Sequence, residues 1–222
     1  MTARSFVPWV GALVVIFRLA TGGLVLAFSS ETAHLEEALA LREGMQVADV
    51  GAGDGDWAER LARTVGPAGH VYATEIDAGD VEDIARRAER DGLDNVTALL
   101  GTATDTGLVA GCCDAILLRM VYHHFTDPAP MRASLRRALR PGARLAVIDL
   151  RPRQDWGDLA GVPDRGGHGI REEELVAEMT SDGFEVVARY EEWADNSNRY
   201  CVVFRRADGP AVSEADGRQE ER

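Results

Sequence analysis

Residues 47–57 constrain the fold of this chain more than any other stretch. An apolar run, Val-Ala-Asp-Val, ends in glycines at positions 51, 53 and 55, and a segment with helical periodicity follows at residues 57–62. Glycines at alternate positions permit backbone angles that a Cβ would forbid, and they let a ligand lie against bare main chain. The stretch therefore predicts a β-strand, a tight ligand-binding turn and the N-terminus of a helix.

The turn carries acidic side chains, which limits the ligand that it can take. Its spacing is G-x-G-x-G, whereas the dinucleotide fingerprint is G-x-G-x-x-G, and Asp49, Asp54 and Asp56 surround it. Three carboxylates would repel a pyrophosphate but attract a ligand that carries a sulfonium or an amino group. A nucleotide-dependent oxidoreductase is disfavoured for this reason.

Segments with strand and helix patterns alternate along most of the chain. This alternation predicts an α/β fold with a Rossmann-like, doubly wound sheet of seven strands, mostly parallel, with an antiparallel pair at the C-terminus. A chain of 222 residues with 45% apolar content can bury one good-sized core, which we assign to a domain at residues 31–206. The expected strands are residues 47–50, 71–75, 96–100, 114–119, 143–150, 184–190 and 200–205, and the expected helices are residues 29–41 (capped by Ser30 or Thr32), a helix from about residue 55, 78–90, 130–139 (ending at Pro141-Gly142) and 171–182.

The two ends of the chain are predicted to lie outside this domain. Within the N-terminal segment, residues 1–30, residues 6–28 are apolar and long enough to cross a bilayer, although Arg18 opposes insertion. A signal peptide and a helix packed on the domain are the alternatives, so cytoplasmic, membrane-associated and secreted locations stay open. The acidic tail, residues 207–222, is expected to be disordered.

Charge and cysteine usage exclude other classes. The formal net charge is -13, whereas a nucleic-acid partner usually needs a basic face, so no nucleic acid is expected. Cys112, Cys113 and Cys201 lack C-x-x-C spacing. Neither a disulfide framework nor a zinc site is therefore expected, and reduced, partly buried thiols are favoured.

Glu75 stands at the end of the second predicted strand. It follows the glycine turn at a spacing of roughly 20 residues, where an acidic side chain can accept hydrogen bonds from ribose hydroxyls. Open α/β sheets bind their ligands at the carboxyl ends of the strands, at the point where the strand order reverses. Glu75, its neighbour Ile76 and the glycine turn are therefore expected to share one site.

Three further candidates, Tyr122, His123 and His124, follow the fourth predicted strand. A neutral imidazole near pH 7 can take a proton from an attacking oxygen, nitrogen or sulfur atom. We expect one histidine to face a substrate and the other to pack, with Tyr122 exposed at the strand end. Adjacent histidines point apart on a strand or loop, so no metal site is predicted.

Two later residues are candidates for the substrate side. His168 lies in a glycine-rich loop, residues 164–170, whose glycines allow a mobile or strained lid; the alternative is a loop histidine that caps the next helix. Asp149, at the end of the fifth predicted strand, either faces the pocket or is a hydrogen-bonded strand-end carboxylate.

Taken together, these residues resemble the class I S-adenosylmethionine-dependent methyltransferases. The resemblance rests on the glycine turn, the acidic end of the second strand, residues 114–128 and the Leu-Arg-Pro-Gly turn at residues 139–142, and it covers about residues 35–206. Within that superfamily the chain is similar to bacterial small-molecule enzymes of the ubiquinone/menaquinone-biosynthesis type. It departs from the family at Thr102, where an acidic residue commonly faces the adenine amino group; Asp105 follows three residues later.

The resemblance implies an enzyme that transfers a methyl group from S-adenosylmethionine, its cosubstrate, to a small-molecule acceptor that the sequence does not identify. Enzymes of this family accelerate the transfer largely by placing the acceptor in line with the methyl group. The alternative is an inactive protein of the same fold that binds the donor or associates with a membrane through residues 6–28. The candidate donor-binding residues are Asp49, Gly51, Ala52, Gly53, Asp54, Glu75, Ile76, Thr102 and Asp105; the candidate catalytic residues are Tyr122, His123 and His124; the candidate substrate-binding residues are Asp149 and His168.

Overall fold

The computed structural model describes residues 22–157 and 160–207. Helices and strands alternate through this part of the chain, as the sequence predicts. The helices are α1 (Gly22–Leu39), α2 (Asp56–Val65), α3 (Ala78–Arg90), α4 (Pro128–Ala138) and α5 (Glu172–Ser181). The strands are β1 (Gln46–Val50), β2 (His70–Glu75), β3 (Val96–Leu100), β4 (Cys113–Arg119), β5 (Leu139–Leu150), β6 (Phe184–Tyr190) and β7 (Arg199–Arg206).

The strands form one seven-stranded sheet in the order β3-β2-β1-β4-β5-β7-β6. The first five strands are parallel to their neighbours, and β7 is antiparallel to both β5 and β6. The predicted fold class is thereby confirmed. Because the strand order changes direction at β1, the carboxyl ends of β1, β2 and β4 meet at one edge of the sheet.

Helices cover both faces of the sheet, so its central strands are buried on both sides. Four of the five residues of β1 are buried. One face packs against α4 and α5 through side chains such as Leu135 and Met179. The other packs against α1 and α2 through Leu35 and Leu61. This two-sided core fixes the edge at which the predicted site residues lie.

Two expected boundaries are wrong. Helix α1 begins at Gly22, so Ser30 and Thr32 lie inside it and cannot cap it. Strand β5 begins at Leu139, directly after α4, so Pro141-Gly142 lies within the strand instead of forming a turn before it. The pairing of β4 with β5 shifts register between Cys113 and Ala115, which accommodates the extra length. The secondary-structure propensities of these residues could not reveal their pairing with β4.

The predictions for the chain ends fall largely outside the described residues. Residues 6–21 of the apolar segment and residues 208–222 of the acidic tail belong to the parts that are not described. Among the helices within residues 22–157 and 160–207, none combines the length and the apolar character needed to cross a membrane.

The cysteines differ from expectation at one point. Cys112 and Cys113 form a disulfide between adjacent residues, where reduced thiols were expected; it closes no long loop and so adds no framework. Cys201 is a free, buried thiol, as expected, and burial raises its pKa.

Candidate functional site

The candidate site lies at the sheet edge where β1, β2 and β4 end. Strand β1 pairs with both neighbours along its length, Val50 lying opposite Thr74 of β2 and Leu118 of β4. The three segments that follow these strands therefore emerge side by side. They carry the glycine turn, Glu75 with Ile76, and the stretch from Met120 to Phe125.

The glycine turn needs glycine at its first position for a steric reason. Gly51 has φ 74°, and a Cβ there would lie 2.4 Å from Cγ2 of Val121 on the neighbouring segment. Gly53 also has a positive φ, 57°, but a Cβ there would meet no atom within 4 Å. The first glycine thus permits close packing behind the turn, whereas the second leaves the exposed surface of the turn open to a ligand.

Glu75 is fixed against this turn. Its Oε1 accepts a hydrogen bond of 2.7 Å from the backbone N–H of Gly53, and its Oε2 accepts one of 3.0 Å from the backbone N–H of Ile76. A carboxylate has about four lone-pair positions, so both oxygens keep acceptor capacity. The side chain is therefore oriented without being saturated.

Asp49 lies beneath the turn and is 1% exposed. Its Oδ2 has no hydrogen-bond partner among the described residues. Burial raises its pKa to about 7, the positive charge of Arg119 opposes that rise, and the negative charges of Glu75 and Asp54 add to it. The carboxylates predicted around the turn thus act on one another, and a cation at this point would relieve their repulsion.

A cavity that is partly open to solvent lies beside the turn. Of the predicted donor-binding residues, it brings together Gly51, Glu75, Ile76, Thr102 and Asp105. Its other lining residues are mostly apolar or small: Val50, Thr74, Gly101, Ala103, Thr106, Val121, His124, Phe125, Thr126 and Met131.

Asp105 and Thr102 line this cavity, but each also has a structural role. Asp105 accepts a 2.8 Å hydrogen bond from the backbone N–H of Gly107 and pairs with Arg137 at 2.7 Å. The hydrogen bond from Gly107 is the largest of the effects that lower the pKa of Asp105. The Thr102 hydroxyl accepts hydrogen bonds from the backbone N–H groups of Thr104 and Asp105. Both residues therefore shape the loop that closes the cavity wall.

The other four predicted donor-binding residues, Asp49, Ala52, Gly53 and Asp54, do not line the cavity. Asp54 lines a second cleft on the other side of the turn, and Ala52 is buried, with its backbone N–H donated to the carbonyl oxygen of Thr74. Sequence reasoning did not find the aromatic wall of this cleft. Trp57 lies there between two guanidinium groups, with Arg119 at 5.0 Å and Arg60 at 5.4 Å from its ring centre. Only the pairing of β1 with β4 brings Arg119 to this place.

His123 and Asp149 form a buried pair beside the cavity. The ring Nδ1 of His123 lies 2.6 Å from Oδ1 of Asp149, and both residues are at most 2% exposed. Asp149 also accepts hydrogen bonds from the backbone N–H groups of His123 and Leu150. Asp149 is thus the hydrogen-bonded strand-end carboxylate of the two alternatives, and it reaches a ligand only through His123.

His168 completes this group from the glycine-rich loop. Its Nε2 lies 3.1 Å from Nε2 of His123, and its backbone exchanges hydrogen bonds of 2.9 and 3.2 Å with Arg153. It therefore does not cap α5. These backbone bonds connect the residue to the segment after β5 and place its imidazole beside His123.

The expectation that the two adjacent histidines point apart is wrong. Residues Tyr122–His124 form a 3₁₀ turn, and the ring centres of His123 and His124 are 4.1 Å apart. The ring centre of His168 lies 4.9 Å from that of His123 and 5.5 Å from that of His124. Burial lowers the pKa of both His124 and His168, and the nearby imidazole of His123 lowers each further. We call these three residues the histidine cluster.

Tyr122 is not exposed at the strand end, which corrects the prediction. It is 0% exposed, and its hydroxyl donates a 2.6 Å hydrogen bond to Oε2 of Glu178 on α5. Arg132 donates to the same two groups. Burial raises the pKa of Tyr122, and the Glu178 carboxylate raises it further. Tyr122 is the first residue of the 3₁₀ turn. Its side chain packs in the core instead of facing a ligand.

Comparison with known proteins agrees with this geometry. Residues 41–207 match the family model described as "Methyltransferase domain". Two curated relatives are a ubiquinone/menaquinone biosynthesis C-methyltransferase UbiE from Bordetella avium, 31% identical over 55% of this chain and 50% of the relative, and a nocamycin O-methyltransferase from Saccharothrix syringae, 33% identical over 57% and 45%. The chain thus spans about half the length of these curated relatives.

Solved structures extend the likeness to the fold. A crystal structure of a SAM-dependent methyltransferase from Aquifex aeolicus superposes with a TM-score of 0.68 at 24% identity, and the match covers 80% of this chain and 90% of that one. At this identity the likeness concerns the fold alone. The two proteins therefore share a fold, and this likeness carries no information about the histidine cluster.

Proposed function

The chain belongs to the methyltransferase domain family, and from this premise we propose that it transfers a methyl group from S-adenosylmethionine to a small-molecule acceptor. The observation that carries the proposal is the convergence of Gly51, Glu75 and Ile76 on one cavity at the carboxyl ends of the strands. Neither relative's acceptor is assigned to this chain, since one is a C-methyltransferase and the other an O-methyltransferase.

The residues of the cavity suit the nucleoside half of the donor. Glu75 presents two oriented oxygens with spare acceptor capacity, which fits a pair of ribose hydroxyls. Ile76 is 63% exposed, although it is a large apolar side chain, and it lines the cavity with Phe125 and Met131. Apolar walls of this kind fit the faces of an adenine ring.

The residues beneath and beside the glycine turn suit the charged half of the donor. S-adenosylmethionine supplies a methyl group on a positively charged sulfur and also carries an ammonium group. The unpartnered Oδ2 of Asp49 and the neighbouring charges of Glu75 and Asp54 favour positive charge at the turn. Arg119, on the wall of the second cleft, pairs with Glu31 at 3.1 Å, and its remaining N–H groups would be the donors for a ligand carboxylate.

The histidine cluster lies on the acceptor side of this arrangement. His124 lines the donor cavity, and His123 lies directly behind it, with its Nδ1 bound to Asp149. If Nδ1 carries the proton that Asp149 accepts, Nε2 of His123 carries the lone pair, and it lies 3.1 Å from Nε2 of His168. We assign to His123 the removal of a proton from the acceptor, and to the cavity walls the in-line placement of the acceptor that carries most of the rate.

Titration calorimetry with S-adenosylhomocysteine, the donor product, tests the donor assignment. We expect saturable binding of one equivalent to the full chain. NAD is the matched comparison ligand, since it shares the adenosine half but carries a pyrophosphate that the acidic turn repels. Binding of NAD with no binding of S-adenosylhomocysteine would overturn the proposal in favour of a nucleotide-dependent enzyme.

Transfer of a labelled methyl group from the donor to a metabolite extract tests the reaction itself. We expect label to enter small molecules with the full chain, and far less with the Glu75→Ala variant at the same protein concentration. Binding of the donor product without any labelled acceptor across extracts would support the inactive donor-binding protein instead.

A further inference from the structure

We propose that the histidine cluster, His123, His124 and His168, binds one divalent transition-metal ion such as Zn²⁺. Three of the five histidines of the chain meet at this point, and they offer one ligand nitrogen each, all within 4.8 Å of one another. In a tetrahedral site with Zn–N distances of about 2.0–2.1 Å, ligand nitrogens are about 3.4 Å apart. The two Nε2 atoms of His123 and His168 are 3.1 Å apart, so this pair is close to ligand spacing already.

Asp149 prepares His123 for this role. The carboxylate lies 2.6 Å from Nδ1 of His123 and is itself held by two backbone N–H groups, those of His123 and Leu150. A proton on Nδ1 directs the lone pair to Nε2, on the side of His168. A carboxylate that fixes the far nitrogen of a histidine is the usual support of a metal-binding imidazole.

Two glycines bring His168 to its place. Gly169 has φ 126°, and a Cβ there would lie 2.7 Å from the carbonyl oxygen of Leu150. A Cβ at Gly167, φ 128°, would lie 2.9 Å from the carbonyl of Arg153. Because only glycine fits on both sides, the loop can run along the backbone after β5 and hold the imidazole over the His123–Asp149 pair. The third ligand is thus positioned by the main chain.

The cluster stands where a ligand can reach it. His124 is exposed and lines the donor cavity, while His123 and His168 line a separate cavity with Asp164 and Arg165. Three protein ligands leave the fourth position of a tetrahedral ion open, as in catalytic zinc sites. That position would be available to water or to an atom of the acceptor.

Metal binding would replace the proton-accepting role proposed above for His123, because its Nε2 would become a ligand. It would also reverse the sequence-based prediction of no metal, which assumed that the rings of adjacent histidines point apart. The inference does not require methyl transfer. Binding of Co²⁺ or Zn²⁺ and binding of S-adenosylhomocysteine are separate measurements, and either can fail alone.

Titration of the untagged full chain with Co²⁺ tests the proposal, since tetrahedral Co²⁺ absorbs visible light much more strongly than the hydrated ion. We expect an absorption that saturates at one equivalent and is displaced by Zn²⁺, and X-ray absorption of the Zn²⁺ form should give a shell of three imidazole nitrogens. A wild-type chain that binds neither ion at micromolar concentration, or a shell without three imidazoles, overturns it.

Variants separate the cluster from accidental surface sites. We expect His168→Asn to weaken Zn²⁺ binding at least about 100-fold, because a ligand is lost, and Asp149→Asn to weaken it about 10–100-fold, because only the support is lost. His34→Asn, which removes an exposed histidine on α1, is the control and should bind like wild type. Unchanged affinity in a folded His168→Asn chain would contradict the proposal. Should that variant fail to fold, the X-ray absorption of the wild type decides.

Discussion

The ring Nδ1 of His123 lies 2.6 Å from Oδ1 of Asp149, and both side chains are buried. The carboxylate cannot touch a substrate, so any effect it has on chemistry passes through the imidazole. We expect Asp149→Asn to lower turnover of labelled methyl groups about 100-fold or more while leaving affinity for S-adenosylhomocysteine within about twofold. The same variant of an exposed aspartate, Asp94→Asn, is the control. Parallel losses of turnover and of donor affinity would instead indicate a general structural role.

Tyr122 gives a prediction about stability. Its hydroxyl donates to the half-buried Glu178 and accepts from the buried Arg132, so Tyr122→Phe leaves each of these two groups with one partner fewer. We expect the free energy of unfolding to fall by about 1–3 kcal/mol, measured by urea denaturation, with donor-product affinity unchanged. Unchanged stability together with a large loss of turnover would restore the catalytic role that the sequence suggested.

Alanine substitutions at Gly51 and at Gly53 should have different effects. Gly51→Ala places a Cβ 2.4 Å from Val121, so we expect a loss of stability beyond the cost of about 1–2 kcal/mol for a side chain at positive φ. Gly53→Ala meets no neighbour and should cost only that amount, yet it should weaken donor-product binding, because strain at this position disturbs the backbone N–H that orients Glu75. Thermal unfolding and calorimetry on the pair check this, and equal stability of the two variants would contradict the steric argument.

Glu75 should govern donor affinity. We expect Glu75→Ala to weaken binding of S-adenosylhomocysteine by about 1–3 kcal/mol, because charge-assisted hydrogen bonds are lost. Glu82→Ala, on the exposed surface of α3, is the matched control and should bind normally. Calorimetry on both variants is the measurement, and normal binding by Glu75→Ala would place the ribose contact elsewhere.

Asp49 predicts a pH dependence of stability. Burial raises its pKa from the ordinary value of 3.8 to about 7 in the folded protein, so the folded state binds this proton more tightly than the unfolded state does. The contribution of Asp49 to the free energy of unfolding is therefore fully present below about pH 4, and it is lost as pH rises to about 7. At 1.36 kcal/mol for each pKa unit it amounts to at most about 4 kcal/mol.

The variant Asp49→Asn removes this titration. We expect its free energy of unfolding, relative to wild type, to increase steadily between about pH 4 and pH 7 and to level off above. Urea denaturation across this range measures the difference, and Asp94→Asn, at an exposed position, is the control. A constant difference between Asp49→Asn and wild type would contradict the raised pKa.

Local patterns predicted most of the architecture. The alternation of strand and helix segments and the glycine turn gave the fold class, and α3, β3 and β6 have the expected bounds. Glu75 was placed correctly beside the turn, because sequence spacing across one strand–helix–strand unit fixes that distance. The boundary of β5 was missed, because its first residues pair with β4 across a register shift.

Only the part of the candidate site that comes from neighbouring residues in the sequence could be predicted. Spacing identified the turn and its acidic surroundings, whereas the aromatic wall of the second cleft depends on Arg119, which arrives from β4. Tyr122 and His123 are adjacent in sequence, yet one packs into the core and the other faces His168. Single positions in a short 3₁₀ turn differ by their rotation about its axis, and flanking composition does not reveal that rotation.

By itself, then, the sequence determined the elements, the turn and the charge around it, because backbone preferences and hydrophobic periodicity act over a few residues. The tertiary structure alone decided which distant side chains meet. His168 reaches His123 because the chain, after β5, returns along its own backbone past two glycines whose missing Cβ atoms make that approach possible. Such contacts depend on strand order and on steric fit between segments far apart in the chain, and no local pattern encodes either.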